Sequence, residues 1–132
     1  MKLTSEEAFE LSRRFRELSV ALGNVRFSRW KELSPAQRRT IEDAEWSLLN
    51  ASSDMITSAV GIVLDETETS FQKLQGSTNK AKRALQTLKT VRRVINVAIA
   101  AVGLAAAIVS RDPGAIAKNA KGLFDAATED DT

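Results

Sequence analysis

The chain has 132 residues and a formal net charge of +2, and 43% of its residues are hydrophobic although only 5% are aromatic. That length fits a single domain, 1–132, and an Ala-rich composition with six Gly and two Pro is typical of helices. Cysteine and histidine are both absent, which excludes disulfides, thiol nucleophiles, imidazole bases and the commonest metal ligands. We therefore expect no enzyme, no cofactor and no metal site.

The first predicted helix covers residues 5–23. It begins at a capping box formed by Thr4 and Glu7, and Gly23 followed by Asn24 supplies a stop signal. Residues 25–34 predict a bent connector or one short helix. The first helix has one apolar stripe at spacings of three and four, made of Ala8, Leu11, Phe15, Leu18 and Leu22. The N-terminal segment lacks the apolar stretch of a signal peptide, which predicts a cytoplasmic protein.

The next two helices are predicted over residues 35–75 and 79–110, with a turn at Gly76. Ser34 is a candidate N-cap, and Pro35 suits the first helical position. Folding the chain back at Gly76 brings residues 44–64 opposite 89–109, so that the apolar parts of both helices face each other. The pattern predicts a long antiparallel helical hairpin as the core of the protein.

A short last helix is predicted over residues 113–126. Asp112 is its candidate N-cap and Pro113 its first residue, and the acidic tail 128–132 is expected to fray. The predicted fold class is therefore all-α, a small bundle in which the first and last helices pack on the long hairpin.

The segment Val94–Ser110 contains no charged residue. A helix that is apolar on every side must be covered by a protein core, by a partner or by a bilayer. Small or polar residues that would let another helix approach closely lie along one stripe, at Asn96, Ala100, Gly103 and Ala107. Three interpretations remain open: a central core helix, a helix that inserts into a membrane, and a helix covered within an oligomer.

A run of basic residues precedes this segment, since residues 77–111 carry seven basic and no acidic side chains. Lys82, Lys89 and Arg93 share one face of the predicted helix and are candidates for contact with an anionic surface. The alternative is a solvated helix end that pairs with the acidic second helix. The run has no aromatic residue to stack on bases, which weighs against a nucleic-acid site.

The N-terminal part interleaves arginines with aromatic residues, a combination that is enriched at protein interfaces. The candidate interface residues are Arg13, Arg16, Phe27, Arg29 and Trp30. The alternative is that the aromatic residues belong to the core and the arginines only keep the protein soluble.

The function that this sequence favours is a non-enzymatic protein–protein interaction module that binds a protein partner or self-associates. A membrane-active protein, pore-forming or membrane-targeting, that inserts the helix 94–110 on release or assembly is the alternative. A nucleic-acid-binding helical domain is a weaker third interpretation, and no small-molecule substrate is inferred.

Overall fold

The computed structural model describes residues 2–57, 62–65 and 69–129. In these ranges the chain forms five α-helices and no strand, so the predicted all-α bundle is confirmed. The helices are α1 (Ser5–Ser28), α2 (Pro35–Thr57), α3 (Phe71–Thr87), α4 (Val91–Ser110) and α5 (Pro113–Thr128). A 3-10 turn, Trp30–Glu32, joins α1 to α2.

Three helices begin at the predicted caps. The Thr4 hydroxyl accepts the Glu7 N–H at 3.0 Å, and the Glu7 carboxylate accepts the Thr4 N–H at 2.9 Å. Ser34 and Gln37 form the same reciprocal pair, at 3.1 and 2.8 Å. The Asp112 carboxylate accepts the N–H groups two and three residues later, at 3.1 and 3.2 Å. Each cap satisfies backbone donors that the first helical turn leaves without partners.

The N-terminal half of the chain forms a helical hairpin of α1 and α2 in place of the predicted hairpin of residues 35–75 and 79–110. The hydroxyls of Ser12 and Ser52 lie 3.1 Å apart, and the Ser19 hydroxyl donates to the Glu45 carbonyl at 2.9 Å, which sets an antiparallel register. The prediction that the first helix ends at Gly23 is wrong, because α1 continues to Ser28. A Cβ on Gly23 would lie 3.0 Å from the Glu45 carboxylate, so this glycine makes room for α2 instead of ending α1.

The predicted second helix, 35–75, is wrong because residues 62–65 are extended and a new helix begins at Phe71. The Leu3 N–H donates to the Ile62 carbonyl at 2.9 Å, and both side chains are buried. The N-terminus thus holds the extended segment against the core, and this tertiary contact overrides a local pattern that favours helix.

The predicted turn at Gly76–Asn79 is also wrong, since these residues lie inside α3. None of the described glycines has a positive φ, and Gly76 is no exception. The hydroxyl groups that suggested a turn donate hydrogen bonds to carbonyls of α3 itself or of α5. The Ser77 hydroxyl donates to the Ala120 carbonyl of α5 at 3.1 Å, and the Thr78 hydroxyl donates to the Leu74 carbonyl at 3.0 Å.

The predicted third helix, 79–110, is divided at residues 88–90 into α3 and α4. Leu88 has an extended ψ of 135°, and the Arg29 guanidinium donates to its carbonyl at 2.7 Å. This side-chain bond satisfies an acceptor that the break leaves without a helical partner. Residues 88–90 contain neither Gly nor Pro, so the usual helix-breaking residues are absent at the break.

Buried side chains from all five helices form one hydrophobic core. The contacts of Glu17 with Lys82 and of Arg14 with Asn79 place α3 parallel to α1. As predicted, α2 packs against α4, although the chain between them is not a single turn. The predicted pairing of the basic run with acidic residues of the second helix involves residues 66–68 in part, and these lie outside the described residues. α5 ends at Thr128, two residues later than predicted. Residues 130–132 of the predicted tail also lie outside the described residues.

Candidate functional site

Large apolar side chains lie exposed along the outer side of α1. Phe9, Val20 and Phe27 are 53%, 60% and 72% exposed, and their spacing places them on one helical face. Arg13 and Arg16 lie on the same face between them. We call these five residues the α1 stripe. The stripe covers 18 residue steps, about 27 Å at ~1.5 Å per residue, and it lies opposite the buried face that packs on the core.

A groove between α1 and α3 runs beside the stripe and has a volume of about 260 Å³. Arg13, Arg16 and Val20 belong both to the stripe and to this groove. The α3 side contributes Lys82 and Gln86. Because the two helices are parallel and close, they form a continuous surface in which apolar and cationic side chains alternate.

The groove is lined by three cations and one carboxylate, that of Glu17. Glu17 lies 3.0 Å from the Lys82 ammonium and 3.9 Å from the Arg13 guanidinium. Arg16 forms no ion pair with any residue that the structure describes. The lining therefore carries an excess of positive charge that suits an anionic partner.

Arg13 is held in place by Glu10 on the preceding helical turn, with 2.5 Å between nitrogen and oxygen. This hydrogen bond lowers the pKa of the Glu10 carboxyl below its ordinary value and raises the pKa of Arg13. The carboxylate form is thus favoured at neutral pH, and the pair is lost only when acid protonates Glu10. Arg13 consequently presents a positioned charge next to the exposed phenylalanines.

Arginines also lie over both aromatic rings at the C-terminal end of α1. The Arg26 guanidinium lies 4.9 Å from the Phe27 ring centre, and that of Arg38 lies 4.1 Å from the Trp30 ring centre. Arg26 is anchored by Glu45 at 2.7 Å, and this hydrogen bond raises the pKa of Arg26. Cation–π contacts of this kind restrain the rings while leaving part of each exposed.

The five predicted interface residues lie at three different places in the structure. Arg13, Arg16 and Phe27 lie on the α1 stripe. Trp30 lies beyond the end of α1, partly covered by Arg38. Arg29 points elsewhere, because its guanidinium binds the Leu88 carbonyl and so fixes the connection between α3 and α4.

Phe9 and Val20 belong to the same surface, although neither was among the predicted interface residues. Their signal was present in the sequence, because residues 9, 13, 16, 20 and 27 repeat at spacings of four, three, four and seven. The buried stripe on the opposite side of α1 has the same periodicity and contains more apolar residues. Only the packing of α2 and α3 on α1 shows which of the two faces is covered.

The predicted anionic-surface face of Lys82, Lys89 and Arg93 does not exist as one face. Lys82 lies on α3 at the groove, and Lys89 lies in the connection that follows. Arg93 is 3% exposed on α4 and donates to the carbonyls of Ala126 and Glu129, at 2.7 and 2.8 Å. Its assignment to a surface was wrong because it assumed one uninterrupted helix.

The small-residue stripe of α4 runs from solvent into the contact with α5. Asn96 is exposed, Ala100 and Gly103 are half-buried, and Ala107 is buried. A Cβ on Gly103 would lie 2.8 Å from the Asn119 side-chain oxygen of α5. Gly103 thus permits the close approach of another helix of the same chain. By length and composition α4 could cross a membrane, and about half of it is buried in the fold.

Within the described ranges, no three acidic side chains lie close enough together to hold a metal ion. Comparison of the chain with protein-family models, with curated proteins and with solved structures finds no match.

Proposed function

We propose that this protein is a non-enzymatic interaction module that binds an acidic amphipathic helix of a partner protein. The observation that carries the proposal is the α1 stripe, which exposes three large apolar side chains and two arginines on one helical face. Large apolar side chains that are exposed together on one helical face are typical of interaction sites. Aromatic residues and arginine are also the residues that contribute most to protein interfaces.

The shape and charge of the surface favour a helix as its ligand. A helix can lay its apolar face along the α1 stripe and place acidic side chains in the groove beside Arg16 and Lys82. To span from Phe9 to Phe27, about 27 Å, such a helix needs about 18 residues at ~1.5 Å each. The partner is therefore expected to carry apolar residues three and four apart, flanked by Asp or Glu.

A second copy of this chain fits the α1 stripe poorly. A two-fold symmetric dimer places the same patch on both sides of the interface, so a surface with an excess of cations would meet a copy with the same excess. Like charges across an interface disfavour association. Self-association, if it occurs, is expected to use another face, and the solvent side of α4 around Ile99 is an uncharged candidate.

The proposal is tested by comparing two pairs of substitutions at exposed positions. Phe9→Ser with Phe27→Ser removes apolar surface from the α1 stripe, whereas Trp46→Ser with Ile56→Ser removes it from the exposed side of α2. Each variant is used to capture partners from extracts of the source cell, with quantification by mass spectrometry. We expect the specific partner to be lost about tenfold or more from the stripe variant and retained by the control.

Added salt should also weaken capture by the wild-type protein, because acidic groups meet exposed cations. Equal loss of the captured partner from both variants, or retention by the stripe variant, would contradict the proposal. Circular dichroism of both variants serves as the control for folding.

Membrane insertion of α4 is the second candidate function, and the observation that favours it is the 20-residue apolar helix itself. Flotation with anionic liposomes tests it. Binding that is lost in Ile99→Glu but kept in Trp46→Glu would support insertion of α4. Membrane insertion of α4 would be contradicted if the wild-type protein stayed in the soluble fraction.

A further inference from the structure

A second groove, between α3 and α5, lies on a different part of the molecule from the α1 stripe. Its volume is about 400 Å³, and its lining is mostly apolar. We propose that this groove binds a small amphipathic anion, a carboxylate with a hydrocarbon body of the fatty-acid class. The proposal does not depend on the function proposed above, because no residue is shared between the two surfaces.

The groove exists because small residues line the two helices where they meet. The helices approach at Ser77 and Ala120, whose hydroxyl and carbonyl oxygens lie 3.1 Å apart. Beside this contact, Gly76 of α3 and Ala117 of α5 leave space. A Cβ added to Gly76 would meet no atom within 4 Å, so the position is open toward the groove.

The polar groups of the lining suit an anionic head. Lys73 of α3 and Lys121 of α5 both line the groove, and none of the described residues in its lining is acidic. Neither lysine is ion-paired to any described residue. Thr69 also lines the groove and is only 3% exposed. Two such ammonium groups in a mostly apolar groove favour a ligand that carries a negative charge at one end.

The remaining lining suits a hydrocarbon body. Phe124 is about half-exposed at the groove, next to the alanines of α5. Covering this ring removes apolar surface from water, which favours binding. The volume lies in the range of small-molecule sites, about 300–1,000 Å³, and this favours a small ligand over a protein segment.

The test is a titration followed by ¹⁵N NMR, with two probes that share a ten-carbon chain and differ in charge. We expect decanoate to shift the amide signals of Gly76, Ser77 and Lys121 in a saturable manner. Decyltrimethylammonium should bind at least about tenfold more weakly, which corresponds to about 1.4 kcal/mol. Both probes are kept below the concentrations at which they aggregate.

Two glycine substitutions form a matched pair for locating the site. Gly76→Leu fills the groove and is expected to weaken decanoate binding about tenfold or more. Gly122→Leu adds the same side chain at an open position of α5 outside the lining, and should leave binding unchanged. The double variant Lys73→Gln, Lys121→Gln keeps the groove open and removes only positive charge. It should therefore weaken the binding of decanoate but not that of decyltrimethylammonium.

The proposal is overturned if decanoate causes no saturable shifts, or if its shifts map to another face. It is also overturned if both probes bind equally, or if Gly76→Leu binds decanoate as well as the wild type does. Should Gly76→Leu fail to fold, the double lysine variant decides alone, and unchanged decanoate affinity there would overturn the proposal.

Discussion

Arg93 is the most buried charged side chain in the part of the chain that the structure describes. It lies in the first turn of α4, where the helix dipole disfavours a positive charge. Its guanidinium instead reaches the C-terminal end of α5, where it binds the carbonyls of Ala126 and Glu129 and lies 3.3 Å from the Glu129 carboxylate. A cation is favourable there, because the last carbonyls of a helix lack intrahelical donors.

Replacing Arg93 should therefore destabilise the fold. Arg93→Met keeps an unbranched apolar stem but leaves two carbonyls without their donor, and we expect a loss of about 3 kcal/mol in the free energy of unfolding. Arg92→Met, at the exposed neighbour, should stay within about 0.5 kcal/mol of the wild type. Urea unfolding followed by circular dichroism measures both. Equal stability of the two variants would show that the contact between Arg93 and α5 contributes little.

The sequence could not predict this role of Arg93. In the chain it is one of six basic residues between Lys80 and Arg93 with no acid among them, a pattern typical of an exposed surface. What buries it is the break at residues 88–90 and the return of α5 along α4, and neither leaves a signal near position 93. The acidic tail, expected to fray, provides at Glu129 the carboxylate that pairs with it.

At the level of the helices, the sequence predicts the N-termini that carry capping residues better than it predicts the breaks between helices. The caps at Thr4, Ser34 and Asp112 are correct because each depends on residues within one turn. The breaks near residue 62 and at 88–90 depend on contacts distant in sequence, namely those of Leu3 and Arg29. Gly23 and Gly76 were wrongly interpreted as a helix end and a turn for the same reason, because the role of a glycine depends on the residues that pack opposite it.

A comparison of two glycines tests this explanation. Gly76→Ala should raise the free energy of unfolding by about 1 kcal/mol, because the position is helical, exposed and open. Gly103→Ala should give no such gain, since its Cβ would lie 2.8 Å from the Asn119 oxygen. Thermal unfolding of both variants measures the difference. A gain from Gly103→Ala equal to that from Gly76→Ala would contradict the close packing of α4 on α5.

At the scale of the whole molecule, the sequence predicts which residues are apolar but not which apolar faces remain exposed. The buried stripe of α1 and the buried face of α2 follow from helical periodicity, and both are present. The exposed stripe on α1 has the same periodicity, and only the positions of α2 and α3 distinguish the two. The sequence left open whether α4 is a core, membrane or oligomer helix. In the fold about half of α4 is buried, and Ile99 is exposed to solvent.

Site-specific photo-crosslinking can show whether the outer side of α1 contacts a partner protein in the cell. Benzoylphenylalanine is placed at Phe27, in the α1 stripe, and at Trp46, which is similarly exposed on α2. We expect irradiation of living cells to yield one discrete heterologous adduct from position 27 and none from position 46. The same adduct from both positions, or an adduct from position 46 alone, would contradict the proposed role of the α1 stripe.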